Sequence, residues 1–256
     1  MKLFCFGIGY VAKHLDPEAT GSWRGENGEL TFDPQALQES THILISIPPN
    51  ENGDIVIQEY GGIISGLKNV QWIGYLSSTS VYGDQQGGYV DETTPCMPIS
   101  QRAVNRYKAE QQWLALGVPI HIFRLSGIYG PGRSVFDSLT VRINKPGHVF
   151  SRIHIDDIVQ VLKASMKNPN AGSIYNLADD LPAESRDVIE FACGLARKPY
   201  PPLIEFENAE LSPMAKSFYM EYRRVKNDKI KNELGINLKF PTFREGLMDI
   251  FRNQSN

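Results

Sequence analysis

Cysteine is scarce in this sequence, and the cysteines present lie far apart. Cys5, Cys96 and Cys193 are the only three among 256 residues. None of them has the C-x-x-C spacing of a metal knuckle, and an odd number of distant thiols offers no disulfide framework. A chain of this length buries enough surface to fold without such cross-links. We therefore expect no bound metal and a reducing, cytoplasmic location.

Charge and hydropathy are not strongly biased either. The formal net charge is −3, which excludes the broad basic surface that nucleic-acid binding requires. No apolar run approaches the ~18 residues of a membrane-spanning helix. The apolar residues 3–12 imitate a signal peptide, but no small-residue cleavage site follows them. We expect neither nucleic acid nor a membrane as a partner, and a buried first strand.

What the sequence does contain is an alternation of short apolar segments and helical segments, which is typical of a parallel sheet covered by helices on both faces. The predicted strands are residues 2–6, 19–22, 29–32, 42–47, 70–76, 119–125 and 173–177. The predicted helices are residues 9–15, 34–39, 55–67, 101–116, 155–166 and 185–196. The fold class predicted is therefore α/β.

A proline-rich segment interrupts this pattern near the C-terminus. Residues 198–203 read KPYPPL, and three prolines cannot lie inside a helix because they lack backbone donors. Shorter helices are predicted after this segment. We predict a sheet domain over residues 1–180 and a smaller cap over residues 181–256, with the loop 130–152 contributing to the cap.

The first predicted strand leads into a glycine-rich turn with the pattern G-x-G-x-x-A. Gly7 permits a tight turn, Gly9 lets the backbone approach a pyrophosphate, and Ala12 keeps the helix close to the strand. The amides from Tyr10 and Val11 onward would face the phosphates. This pattern predicts a dinucleotide site, whose alternative is a plain strand–helix turn.

The end of the second predicted strand indicates which dinucleotide binds. Ser22 and Arg24 suit the 2′-phosphate of NADP, whereas Glu26 is the candidate for the ribose hydroxyl of NAD. We predict NADP, with NAD as the alternative. Ser46 and Pro48, at the end of the predicted strand 42–47, complete the predicted cofactor-binding set.

Five further segments occur in an order that carries a family resemblance. They are SSTSVYG at 77–83, DETTP at 91–95, RLSGIYGPGR at 124–133, RIHIDD at 152–157 and NDKIKNELG at 227–235. Together they resemble the extended and atypical short-chain dehydrogenases, the group of nucleotide-sugar epimerases and dehydratases. The resemblance implies an NAD(P)-binding Rossmann domain, a small C-terminal substrate domain and a nucleotide-sugar-like or carbonyl substrate. By analogy it also makes a homodimer possible, paired through long helices such as residues 101–116.

The same resemblance implies a catalytic serine and a Tyr-x-x-x-Lys pair. Ser78 matches the serine, and Lys108 lies where the resemblance places the lysine, which also binds the nicotinamide ribose of the cofactor. Four residues before Lys108 is Val104, which cannot transfer a proton. The pattern is therefore similar to an atypical subgroup that has lost the tyrosine. Candidate replacements for the proton donor are Tyr82, Tyr107 and His154.

Two functions follow from these residues. The first is an oxidoreductase or epimerase in which Ser78 polarises the reacting oxygen. The second is a non-catalytic NADP(H)-binding sensor or scaffold, which Val104 favours. The sequence offers Arg133, Arg142 and Arg152 as candidate contacts for substrate phosphates, because guanidinium groups bind phosphate in a bidentate manner.

Overall fold

The chain was analysed as a computed structural model, which describes residues 1–24 and 29–254. Its strands are β1 (Leu3–Phe6), β2 (Thr20–Arg24), β3 (Leu30–Thr31), β4 (His42–Ile45), β5 (Trp72–Ser78), β6 (Tyr89–Val90), β7 (Ile120–Leu125), β8 (Gly127–Tyr129), β9 (Arg142–Asn144), β10 (Val149–Phe150), β11 (Arg152–His154), β12 (Ile174–Leu177), β13 (Ala183–Glu184), β14 (Leu203–Glu205) and β15 (Arg224–Val225). Its helices are α1 (Tyr10–Leu15), α2 (Pro34–Gln38), α3 (Ile55–Gly66), α4 (Gln101–Ala115), α5 (Ile155–Lys167), α6 (Ser185–Ala196), α7 (Pro213–Phe218), α8 (Asp228–Leu234) and α9 (Phe243–Gln254).

The main sheet confirms the predicted doubly wound architecture. Its seven strands among the described residues have the order β12-β7-β5-β4-β1-β2-β3. Strands β12 to β2 run parallel, whereas β3 pairs antiparallel with β2 at the edge. The chain order reverses at β1, because β1 lies between β2 and β4. A ligand crevice is expected at the carboxyl ends of strands beside such a reversal.

The fully apolar β1 is explained by helices on both faces of the sheet. Leu3 and Cys5 belong to a core cluster that includes residues of α1 and α5. Phe4 and Phe6 point to the other face, into a cluster with residues of α3 and α4. Successive side chains of a strand alternate between faces, so a strand covered on both sides is apolar throughout.

Side-chain caps set the start of the two helices that follow β4 and β5. Asp54 accepts hydrogen bonds from the amides of Val56 and Ile57 at the start of α3. Ser100 accepts a hydrogen bond from the amide of Ala103 at the start of α4. Both residues act as N-caps, since their oxygens satisfy amides that have no partner within the helix.

The C-terminal third of the chain contributes both to small sheets and to the core of the main sheet. Outside the main sheet, β9 pairs with β14 and β10 pairs with β13, so the loop 130–152 supplies strands to two small sheets. The helix α8, by contrast, packs Ile230 into the core cluster of the main sheet. The boundary at residue 180 remains a prediction. Among the described residues, no helix is long and apolar enough to cross a membrane.

A buried ion pair joins α4 to the centre of the main sheet. The Nη2 atom of Arg124 on β7 lies 2.7 Å from Oε2 of Glu110 on α4, and the two side chains are 3% and 0% exposed. Arg124 also donates to the hydroxyl of Tyr82 at 2.9 Å. Ser77 on β5 donates to Oε1 of Glu110. Burial by itself would lower the pKa of Arg124, but the hydrogen bonds to Glu110 and the negative charge of Glu110 together outweigh burial, so the pKa is raised.

Removing one partner of this pair is expected to destabilise the fold strongly. In Glu110→Ala the guanidinium of Arg124 stays buried without its counter-charge, so we expect a loss of about 3–5 kcal/mol in the free energy of unfolding. Urea unfolding at neutral pH measures it. The control is Glu39→Ala, which breaks the exposed pair with Lys2 and is expected to change stability little. Similar losses in both variants would contradict this prediction.

Candidate functional site

The turn between β1 and α1 requires glycine at its first position. Gly7 has a φ of +89°, which disfavours other residues. A Cβ at this position would lie 2.9 Å from Cγ1 of Ile47. The amide of Gly7 donates to Oγ of Ser22 at 3.2 Å, so the turn is tied to the end of β2.

Gly9 is exposed, and its surroundings differ from those of Gly7. Its φ is −97° and no side chain caps α1. The nearest atom to a Cβ at Gly9 would be Oγ of Ser46, at 3.7 Å. The protein alone would therefore accept a side chain here, and the position is left open to a ligand. Ala12, by contrast, is fully buried in the core cluster, where it lets α1 lie close to the sheet.

A cavity of about 730 Å³ lies beside this turn, at the carboxyl ends of the parallel strands. Tyr10, Val11, Ser46 and Pro48 line one part of it. Ser78, at the end of β5, lines the same cavity. The structure thus brings five of the residues predicted from the sequence to one space. The loop before β11 and the segment around α7 supply its other wall.

Ser78 ends β5 with its hydroxyl placed for hydrogen bonding. Its Oγ accepts a hydrogen bond from the amide of Ser80 at 3.2 Å. A serine hydroxyl also has one proton to donate, and no acceptor for it lies among the described residues. The role of Ser78 in polarising an oxygen remains a prediction.

Tyr82 does not reach the cavity, so the structure contradicts its selection as a catalytic residue. Its side chain is fully buried, and its hydroxyl donates to Oδ1 of Asn176 at 2.8 Å while accepting from Arg124. Burial raises the pKa of Tyr82 to about 12. A buried, fully bonded phenol of this kind holds elements together and does not exchange protons near neutral pH.

Lys108 is also outside the cavity, which corrects its prediction as a catalytic and cofactor-binding residue. Its side chain is exposed, while α4 and its cap contribute Ser100, Arg102 and Arg106 to the lining. Each residue turns a helix by about 100°, so Lys108 lies about 200° around α4 from Arg106. Val104 is not in the lining either.

The other two candidate proton donors have structural contacts instead. Tyr107 packs against the small apolar cluster around Val81 and Tyr82. His154 is buried, and its Nδ1 accepts a hydrogen bond from the amide of Asp156 at 3.1 Å. Burial lowers the pKa of His154 to about 4, so the ring is neutral at physiological pH.

Of the residues predicted to distinguish NADP from NAD, only Ser22 has a side chain that the structure describes. Ser22 is fully buried, and its oxygen is used by the amide of Gly7. The prediction that Ser22 contacts a 2′-phosphate is therefore wrong. Ser22 instead stabilises the glycine turn through its hydrogen bond with Gly7. The side chain of Arg24 and all of Glu26 lie outside the described residues.

Positive charge dominates the cavity. Among the described residues, its lining includes the five arginines Arg102, Arg106, Arg133, Arg152 and Arg223 and one carboxylate, Glu221. Arg223 pairs with Glu221 at 2.7 Å. Within the described part of the chain, the other four arginines have no carboxylate within 4.0 Å. Such a lining favours an anionic ligand.

Sequence reasoning found only part of this arginine set. Of the three arginines proposed for substrate phosphates, Arg133 and Arg152 line the cavity. Arg142 instead pairs with Glu190 and donates from Nε to the carbonyl of Pro201 at 2.9 Å. Sequence reasoning missed Arg102 and Arg106. Their spacing of four residues on one helix was the available signal, because it places both side chains on the same face.

Comparison with known proteins defines the class of the fold. No protein-family model matches the chain. The solved structure of a functionally unknown conserved protein from Silicibacter pomeroyi DSS is 43% identical, with a TM-score of 0.92 over 99% of each chain. The protein YeeZ of Escherichia coli K12 is 28% identical over 218 residues, which are 82% of this chain and 75% of YeeZ.

An enzyme with lower sequence identity to the chain has a similar structure. The UDP-glucuronic acid 4-epimerase from Bacillus cereus, in complex with NAD, is 16% identical, with a TM-score of 0.77 over 99% of this chain and 97% of the epimerase. The chain therefore has the Rossmann-like fold of the epimerases and dehydratases. Within that class it belongs to the same family as the Silicibacter pomeroyi protein.

Asp179 lies behind the arginine lining and is protonated over an unusual range. It is 1% exposed, its amide donates to the carbonyl of Arg152 at 2.6 Å, and its Oδ2 has no hydrogen-bond partner. Burial raises the pKa of Asp179 to about 8, although the charge of Arg152 opposes the shift. An unfolded aspartate has a pKa of about 3.9.

This difference predicts a pH-dependent stability. Between pH ~4 and pH ~8 the folded protein holds a proton that the unfolded chain has released, so the contribution of Asp179 to stability falls as pH rises. Asp179→Asn removes this titration. We expect its free energy of unfolding, relative to the unaltered protein, to rise from pH 5 to pH 8 by up to about 1.4 kcal/mol per pH unit. A flat difference across denaturant unfolding curves in this range would exclude the raised pKa.

Proposed function

We propose that this protein binds a nicotinamide dinucleotide at the carboxyl ends of β1, β2 and β4 and acts as an oxidoreductase or epimerase on an anionic, nucleotide-sugar-like substrate. One observation carries the proposal: a single cavity joins residues beside the glycine turn to Ser78 and to a wall of arginines. The epimerase with the same fold binds NAD, which supports a dinucleotide at this position.

The residues beside the turn fit such a cofactor. Gly9 leaves room for a pyrophosphate to approach the backbone, since the nearest atom to its Cβ position is 3.7 Å away. Ser46 and Pro48 border the same space. The dinucleotide would supply hydride transfer, and the chain would orient it. We propose NADP rather than NAD, a preference that now depends on Arg24 because Ser22 is buried.

The opposite side of the cavity suits the substrate. Ser78 would donate its hydroxyl proton to the reacting oxygen and so polarise the bond to carbon. Arg133 and Arg152 line the cavity on the side of the cap, where they would hold the negative groups of a nucleotide sugar. The chain can thus bind an anion although its own net charge is negative.

A second candidate function is a dinucleotide-binding sensor without turnover. The α4 side chains in the cavity are Arg102 and Arg106, and their spacing equals that of the Tyr-x-x-x-Lys pair in the resembled family. We propose that this pair of positions, two residues before Val104 and Lys108, corresponds to the catalytic pair. Arginine does not release its proton near neutral pH, which favours binding without turnover.

The cofactor proposal is tested at Gly9. Gly9→Ala is expected to fold normally, because its φ is negative and the nearest atom is 3.7 Å from the Cβ position. The added methyl group would occupy the pyrophosphate space and weaken NADPH binding about tenfold or more, as expected for a lost hydrogen bond to a charged group. Fluorescence titration with NADPH measures the dissociation constant.

The matched control is Gly62→Ala, on the exposed side of α3, where a Cβ meets nothing within 4 Å. It should bind NADPH as the unaltered protein does. If NADPH and NADH both fail to bind at high concentration, or if both variants bind equally well, the proposed cofactor site is wrong. Tighter binding of NADH than NADPH would overturn the NADP preference alone.

Turnover separates the enzyme from the sensor. Cofactor absorbance reports net oxidation or reduction with a panel of nucleotide sugars and carbonyl compounds, and NMR of the same sugars reports epimerisation, which returns the hydride and leaves the absorbance unchanged. For the enzyme, we expect Ser78→Ala to lower kcat about 10²-fold, as for loss of one hydrogen-bond donor to a reacting oxygen, with an unchanged dissociation constant for NADPH. If both the unaltered protein and the Ser78→Ala variant bind NADPH but turn over none of the compounds, the sensor function is supported.

A further inference from the structure

Arg102 and Arg106 have an arrangement that is unfavourable for α4 itself. They lie in the first two turns of the helix, which has no acidic residue in its first turn. A helix N-terminus carries partial positive charge, so cations there are disfavoured. Like charges four residues apart also repel each other. Helix stability therefore does not explain why both positions hold arginine.

The surroundings position these two guanidinium groups without neutralising them. Arg106 donates from Nη1 to the carbonyl oxygen of Leu76 at 2.6 Å, which places it beside the end of β5 two residues before Ser78. Arg102 lies over the ring of Phe218, 5.0 Å from its centroid. Neither has a carboxylate within 4.0 Å among the described residues.

The paired arginines of the same structure form a contrast. Arg124 is neutralised by Glu110, Arg142 by Glu190 and Arg223 by Glu221. Arg102 and Arg106 keep free N–H donors that line a cavity large enough for a ligand. The missing partner of a positioned arginine pair that faces a cavity is most simply a negative group of the ligand.

We propose that Arg102 and Arg106 together bind an oxyanion, a phosphate or carboxylate group of the ligand, beside Ser78. This inference rests on the proposed function and narrows its substrate class. The ligand then carries a negative group near the atom that Ser78 would polarise, in addition to the phosphates facing Arg133 and Arg152. Phe218 covers this group from the side of α7.

The test uses inorganic phosphate as a probe of the intact protein, and acetate and malonate as carboxylate probes. Thermal unfolding is followed as each anion is added, with and without saturating NADPH, at constant ionic strength set with chloride. The variants are Arg102→Gln/Arg106→Gln and, as a matched control, Arg252→Gln on the exposed surface of α9.

Without added anion, we expect the double variant to remain folded, because it loses the hydrogen bond from Arg106 to the carbonyl of Leu76 but is relieved of like-charge repulsion near the helix N-terminus. With anion, we expect the unaltered protein and Arg252→Gln to be stabilised with the same apparent dissociation constant. For the double variant that constant should rise at least tenfold, as expected from losing charged hydrogen bonds. The more effective anion, phosphate or carboxylate, identifies the group that the site takes.

Two results would overturn the inference: no stabilisation of the unaltered protein by any of the anions, or equal stabilisation of the double variant. NADPH binding by the same samples is measured separately. If NADPH binds while the anion effect is absent, the oxyanion site fails and the cofactor proposal stands. If the anion effect depends on the two arginines while neither coenzyme binds, the oxyanion site stands and the dinucleotide proposal fails.

Discussion

The buried pair of Arg124 and Glu110 is the constraint on which the geometry of the site depends. Glu110 lies on α4 at intervals of four residues from Arg106 and Arg102, so the three side chains share one face of the helix. The contact of Glu110 with Arg124 on β7, together with the burial of Ala109 and Trp113 of the same helix in the core, fixes the rotation of α4 about its axis. The same rotation turns Arg106 and Arg102 toward the cavity and Lys108 toward solvent.

The buried Arg124 and the arginines around the cavity differ in how many of their N–H donors have a partner. Inside the fold, Arg124 is fully provided with acceptors, because a desolvated charge without partners costs several kcal/mol. Around the cavity, Arg102, Arg106, Arg133 and Arg152 keep donors available. This concentration of unpaired positive charge in one crevice lets a chain with a net charge of −3 attract an anionic ligand, since local field and not net charge acts at short range.

The two sides of the cavity depend on different features of the chain: the glycine turn on backbone conformation, and the arginine-lined side on segments that are distant in sequence. At Gly7 the backbone requires glycine, because its φ is +89°. At Gly9 the backbone conformation does not require glycine. The missing side chain there leaves space for a ligand to approach the backbone. The other side of the cavity is lined by segments from distant parts of the chain, including Arg152 before α5 and Phe218 in α7.

Local patterns in the sequence determined the strands and helices of the main sheet to within a few residues, the caps Asp54 and Ser100, and the glycine turn, because each depends on neighbouring residues. The antiparallel pairing of β3 and the burial of Ser22 and Tyr82 depended on contacts between distant segments. The face of α4 was also decided by tertiary structure alone. Positions 104 and 108 have the same four-residue spacing as 102 and 106, and the buried contacts of α4, including that of Glu110 with Arg124 and the packing of Trp113 in the core, distinguish the two pairs.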